Sequence, residues 1–232
     1  MRRYSYIAVS FVVLIFGIIF IPRIITRFQQ SNLVDNTRLS AASPLSFIEL
    51  NGEAKRVPEF VFTNQDRRLI SNEDYLGKVY VIEFFFSTCP TICPIMNANM
   101  KRLEEAFGNR DDFGIASFTI DPEKDTPEQL KRYAESLGVF SQNWHFLTGD
   151  ADAIYTLANT GFNIFAGINP NVAGGFEHQG YFALVDQNGY LRSRTDRSGN
   201  PIVYYLGIPE SELDTQGTDM LLEDVQKLLE NE

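Results

Sequence analysis

Cysteine and histidine are nearly absent, with two of each in 232 residues. The two cysteines stand four positions apart, which excludes a scaffold stapled by long-range disulfides. Once the amino-terminal apolar segment and a tether are set aside, roughly 180 residues remain, enough to bury one sizeable core without such staples. Structural zinc takes four protein ligands, so zinc here would need both histidines or a carboxylate besides both cysteines. Positive charge is also short, with 20 Lys and Arg against 30 Asp and Glu and a net charge of -10. No basic cluster stands in the main body, so phosphate backbones are repelled and no nucleic acid is expected as partner. Internal repeats and low-complexity tracts are missing as well.

Charge is missing altogether from Tyr4 to Pro22, and Ile7 to Ile21 is nearly all apolar. A bilayer core takes roughly 20 helical residues, so the sequence predicts a transmembrane anchor over residues 4–25. Arg2 and Arg3 before it favour export of the chain beyond it; Arg23 and Arg27 on the far side weaken that orientation without reversing it. No small-x-small cleavage site follows the run, and Ala41-Ala42-Ser43 lies too far downstream, which argues against a removed signal peptide. No cysteine follows the run that would carry a lipid. The expectation is an uncleaved single-pass anchor over 4–25, a polar linker over 26–45 and one exported domain over 46–232.

Within that domain, Lys78 to Phe86 is a β-branched and aromatic run broken only by Glu83, the pattern of a strand buried on both faces. Glu83 itself is expected against backbone or solvent at a sheet edge. Ile95, Met96, Met100, Leu103 and Phe107 then recur at helical steps. Ile115 to Asp121 reads as a second buried strand. A helix should begin at Pro127, capped by Asp125 or Thr126, with Leu130, Tyr133, Ala134 and Leu137 inward and Gly138 closing it. Trp144 to Leu147 is a third strand and Ala151 to Asn159 another helix. Asn188-Gly189 joins two strands, Gly180–Asp186 and Tyr190–Arg194, as a hairpin. A helix from near Glu212 to Leu229 ends the chain, with Glu210, Glu212, Asp214, Asp219, Glu223 and Asp224 expected on a solvated face. This order implies an α/β fold, a thioredoxin-like mixed sheet flanked by helices on both faces.

Ser87-Thr88-Cys89-Pro90-Thr91-Ile92-Cys93-Pro94 falls where the first buried strand passes into a helix. The partial positive charge of a helix amino terminus favours the thiolate form. At four-residue spacing both sulfurs project from one face, able to meet each other or share one ion. Two chemistries are open to such a pair: dithiol–disulfide exchange, or binding of a soft metal, for which two or three ligands suit Cu(I) better than zinc.

Four blocks carry a family resemblance: Phe84 to Pro94, Thr119-Ile120-Asp121-Pro122-Glu123-Lys124-Asp125-Thr126-Pro127, Trp144 to Gly149, and Glu177-His178-Gln179-Gly180-Tyr181-Phe182-Ala183-Leu184-Val185-Asp186. The chain resembles the Sco/SenC family of copper-binding proteins, which assist assembly of the binuclear copper centre of cytochrome c oxidase. The resemblance implies copper as the metal, Cys89, Cys93 and His178 as its ligands, and a copper-acceptor subunit of a respiratory oxidase as partner. It also implies a bacterial inner-membrane protein whose soluble domain faces the periplasm. The function so implied is a metallochaperone. The alternative is a thiol–disulfide oxidoreductase that reduces the acceptor's cysteines, in which Cys89 attacks, Cys93 resolves and His178 is dispensable. The family commonly carries an acidic residue between the cysteines, where this chain has Thr91.

The remaining candidates read as structural. Met96 and Met100 carry soft sulfur, but their spacing places them in the core. His145 is expected at the surface or an edge. Asp121, at a strand's carboxyl end, is open to a place beside the site.

Overall fold

The computed structural model describes Leu14, Phe16 and residues 44–195, 200–209 and 217–231. The expected anchor at 4–25, apart from Leu14 and Phe16, and almost all of the linker therefore lie outside the described residues. No helix among the described residues is long and apolar enough to cross a membrane. All the elements of secondary structure named here belong to the compact unit Leu39–Glu232.

In chain order the elements are β1 Ser46–Phe47, β2 Glu49–Leu50, β3 Glu53–Ala54, β4 Val61–Asn64, β5 Leu69–Ser71, a single 3-10 turn Asn72–Tyr75, and β6 Val79–Phe85. Then come α1 Cys93–Phe107, β7 Phe113–Thr119, α2 Pro127–Ser136, β8 Trp144–Thr148, and α3 Ala151–Thr156 running into a π turn Leu157–Phe162. β9 Ala166–Ile168, β10 Phe176–His178, β11 Tyr181–Val185, β12 Leu191–Ser193, β13 Tyr205–Leu206 and α4 Gly217–Asn231 complete the domain.

The main sheet runs β1-β12-β11-β6-β7-β8-β4-β5, with β13 also on β11. β6, β7 and β8 are parallel, in register from Val79 opposite Phe113 and from Ile115 opposite Trp144. β11 is antiparallel to β6 and β4 to β8, which gives the mixed sheet expected. β6 is central and all of its residues are buried. Phe85 turns towards Tyr133 of α2, while Phe84 turns the other way towards Phe162, so helical segments cover both faces. α4 packs beside α1.

Along α1, Met96, Met100 and Leu103 are buried as the helical spacing requires, whereas Ile95 is exposed. Thr126, not Asp125, caps α2, accepting from the Gln129 amide at 3.3 Å. α3 does not run on as a plain α-helix to Asn159; it widens into the π turn, where the Asn159 side chain bonds to backbone outside the helix. The β11–β12 turn closes with Gly189 at φ +80°, and the Asp186 carboxylate accepts from the Asn188 and Tyr190 amides.

Two expectations, on Glu83 and Asp224, need correction. Glu83 is not at an edge: its strand lies between β7 and β11, and its carboxyl is wholly buried. Ser117 Oγ donates to Glu83 Oε1 at 2.7 Å, Trp144 Nε1 donates to Ser117 Oγ at 2.9 Å, and Oε2 has no partner. His145 is half-buried, paired with Ala116 on the β7 side, while β4 reaches only Leu147 and Thr148 of its strand; its Nδ1 lies 3.2 Å from Asn64 Nδ2. Asp224 is not solvated. It is buried against the Arg194 guanidinium at 2.7 and 2.9 Å and accepts from Tyr205 Oη at 2.8 Å. Glu210, Glu212 and Asp214 lie outside the described residues.

Candidate metal centre

The loop after β6 carries both cysteines to the carboxyl end of the parallel strands. Cys89 closes a tight turn, its amide donating to Phe86 O at 3.2 Å, and Cys93 opens α1. No side chain caps that helix; instead Ile92 O accepts from the Ile95 and Met96 amides, both at 3.0 Å. The loop is fastened from beneath by Asp125, whose buried carboxylate accepts from the Ser87 amide at 3.0 Å, from Ser87 Oγ, and from Thr119 Oγ1 at 2.5 Å. Sequence reasoning gave Asp125 only a capping role. Its partners are distant in sequence, and nothing in the local pattern announced them.

His178 arrives from the far side, at the end of the β9–β10 hairpin, where it pairs with Ala166. Phe86 backs it, its ring 6.1 Å from the imidazole and 5.3 Å from Phe176. The imidazole Nε2 comes to 3.1 Å from Cys93 Sγ, and Nδ1 lies 3.2 Å from Gln179 O. A carbonyl only accepts, so in the neutral ring Nδ1 carries the proton and the Nε2 lone pair faces the sulfur. The three donor atoms of Cys89, Cys93 and His178 all lie within 4.8 Å of one another. Among the described residues theirs is the one group of three or more His, Cys, Asp or Glu side chains able to hold an ion.

The two thiols are driven apart in acidity. Cys89 is pushed well below the ordinary thiol range, first because Cys93 donates to its sulfur; the Cys93 amide and Thr91 add to this, and partial burial opposes it. Cys93 is pushed far up, because it serves the Cys89 sulfur and is buried. The Thr91 hydroxyl, 3.5 Å from Cys89 Sγ, is a neutral donor to that sulfur. Asp121 is a buried carboxylate paired with Lys124 at 3.1 Å, and the Lys124 ammonium lies 5.7 Å from the centre of the Phe176 ring. Met96 and Met100 are wholly buried in the core. Two soft sulfurs and one imidazole fit a soft, low-coordinate ion such as Cu(I) better than a four-ligand structural zinc.

Fold and donors together define a thioredoxin-like dithiol protein with an imidazole set against the thiol pair. The SCO1/SenC family model matches residues 49–209, more than half of the chain, and the chain belongs to that family. The SCO1 protein homolog of Bacillus subtilis is 43% identical over 94 residues, a match spanning 40% of this chain and 49% of that relative, about half its length. The structure of BsSco, described as a member of the Sco family of cytochrome c oxidase assembly proteins with a disulfide switch, is 30% identical. It aligns with a TM-score of 0.60 over 77% of this chain and 95% of that one. Bradyrhizobium japonicum ScoI, solved with copper bound, shares the fold at 22% identity and a TM-score of 0.57, over 75% of this chain and 99% of that one.

Proposed function

We propose that this chain binds copper through Cys89, Cys93 and His178 and passes it to the copper centre of a membrane oxidase. The observation that carries the reading is the convergence of two thiols and one imidazole from distant parts of the chain on one point. Thiolates select Cu(I), and an imidazole beside them also accommodates Cu(II). Cys89 is already poised as a thiolate, so metal entry has only the Cys93 proton to displace. Family membership and the oxidase-assembly role printed for BsSco support an oxidase subunit as acceptor. Such an acceptor is reached most directly by a domain tethered to the same membrane. The apolar run at 4–25 would anchor it, residues 26–45 would give it reach, and the domain from 46 onward would face the periplasm of a bacterial cell.

The opposite acid shifts of the two thiols favour a second reading, dithiol–disulfide exchange. Cys89 would attack and Cys93, held as a thiol until it resolves the mixed disulfide, would follow. Copper stoichiometry on the reduced full chain in detergent, loaded anaerobically with Cu(I) beside its His178→Ala variant, separates the two. One copper per chain, held at least about tenfold (about 1.4 kcal/mol) less tightly in the variant, supports the metallochaperone. No retained copper, with disulfide exchange intact in both proteins, would leave the oxidoreductase.

A further inference from the structure

His178 gets its place from a hairpin that is short and built largely of its own contacts. Gln179 closes it, its amide donating to Phe165 O at 3.0 Å and its side chain accepting from the Phe165 amide at 2.9 Å. Those bonds keep the hairpin shut but do not fix where it stands over the cysteines. The Phe86 and Lys124 contacts to Phe176 bear on it from the cysteine side, yet neither is directional in the way a hydrogen bond is.

Behind the hairpin stands Asn159, in the π turn that follows α3. Its Oδ1 accepts from the Ala166 amide at 3.0 Å and its Nδ2 donates to Ala166 O at 2.8 Å. Ala166 is the residue paired across the hairpin with His178. Nδ2 also donates to Tyr155 O at 3.0 Å, which fixes the side chain's direction. The helix carrying Asn159 is tied in turn to the carboxyl end of the central sheet, where Tyr155 Oη donates to Ile120 O at 2.8 Å. A directional path thus runs from the sheet through Tyr155 and Asn159 to the backbone opposite His178. π turns are rare and occur frequently at functional sites.

We infer that Asn159 is the positioning residue for His178: its two-bond grip on Ala166 sets the imidazole over the thiol pair. For its consequence the inference rests on the copper reading; for its geometry it does not. Without the grip, the hairpin would keep its own bonds while the imidazole lost its fixed place.

The test uses the full chain in detergent, reduced and metal-free, labelled with 15N-histidine. The chain has two histidines, so His178→Ala assigns the spectrum. At about pH 8 a neutral imidazole reports its tautomer through its two nitrogen shifts. Wild type should show His178 protonated at Nδ1; in Asn159→Ala the Nδ1 shift should hold, because Gln179 O stays with the hairpin, while the Nε2 shift should move as its contact with Cys93 Sγ is lost, with His145 unmoved. With Cu(II) added, wild type should show imidazole nitrogen splitting in its electron paramagnetic resonance spectrum, and Asn159→Ala should lose it. Wild-type nitrogen shifts at His178 in Asn159→Ala would overturn the inference. Should that variant fail to fold, Asn159→Asp decides on the same nitrogen shifts, because it keeps the acceptor for the Ala166 amide and loses the Nδ2 donor. Failure of wild type to take copper would overturn the functional reading alone, since the metal-free shifts still decide the role of Asn159.

Discussion

Cys93 Sγ lies 3.1 Å from His178 Nε2, although 85 positions separate the two residues. The contact joins the first turn of α1 to a hairpin that forms a two-stranded sheet of its own, so it is a product of the whole fold and of neither segment alone. It also divides labour between the cysteines. Cys93 is wholly buried between the imidazole and the other sulfur, while Cys89 keeps a little exposure at the loop. An incoming ion or disulfide therefore meets Cys89 first.

That division predicts one-sided thiol reactivity. In the reduced protein at about pH 6, a thiol with an ordinary value near 8.5 is almost wholly protonated, yet Cys89 should already alkylate as a thiolate while Cys93 stays unmodified. Cys93→Ala removes the leading donor to the Cys89 sulfur, and the midpoint of the Cys89 alkylation profile should rise by at least about one pH unit, roughly 1.4 kcal/mol. Iodoacetamide rates followed across pH by mass spectrometry measure both. Equal rates at the two cysteines would contradict the assignment.

Thr91 should help hold the Cys89 thiolate by its hydroxyl alone. A neutral hydrogen bond contributes about 0.5–1.5 kcal/mol, so Thr91→Val should raise the Cys89 midpoint by less than about one unit. The direction is the diagnostic result: Thr91→Glu, which places a negative charge beside the thiolate, should raise it further than Thr91→Val does. A variant order reversed in the same alkylation assay would show that Thr91 does not face the sulfur in solution.

Much of this architecture could be read before any coordinates. The apolar run from Lys78 to Phe86, the helical spacing of Met96, Met100 and Leu103, and the Asn188-Gly189 turn are local signals, and each element formed where those signals placed it. The cysteine pair was legible for the same reason, since strand end and helix start adjoin in sequence. His178 was legible only through family resemblance, because nothing near it in the chain reveals that its hairpin folds back over Cys93. Glu83, Asp125, Asp224 and Asn159 were misread or passed over on the same ground. A carboxylate's partners across a sheet leave no periodicity, so a buried charge and a solvated one look alike in sequence.

Asp125 is the clearest case with a measurable consequence. Its carboxylate accepts two bonds from Ser87 and one from Thr119, tying the loop that bears Cys89 to the end of β7. Asp125→Ala strands those donors in a buried place, at about 1–3 kcal/mol for each one left without a partner. Urea unfolding of the reduced protein should show a loss of several kcal/mol, and Asp125→Asn, which keeps part of the acceptor set, should lose less. Equal stability in all three proteins would mean that the fastening contributes nothing.

Burial holds the Glu83 carboxyl up at about 7 against an ordinary 4.5, with the Ser117 hydroxyl pulling the other way. A carboxyl raised in the folded state stabilises fully only below its unfolded value. Below about pH 4.5 both states are protonated, so no penalty arises. As pH climbs towards about 7 the unfolded chain ionises while the native carboxyl stays neutral, and stability falls by about 1.4 kcal/mol per unit. Above about pH 7 the native group ionises too, and the loss levels off near 3 kcal/mol as an order of magnitude. Glu83→Gln stays neutral throughout, keeps the acceptor for Ser117 and has no such slope. Comparing urea unfolding at about pH 5 and pH 8, the wild type should lose roughly 2–3 kcal/mol more than the variant does. A variant with the wild-type pH slope would place the titration elsewhere, and a variant more strongly pH-dependent than wild type would reverse the sign argued here.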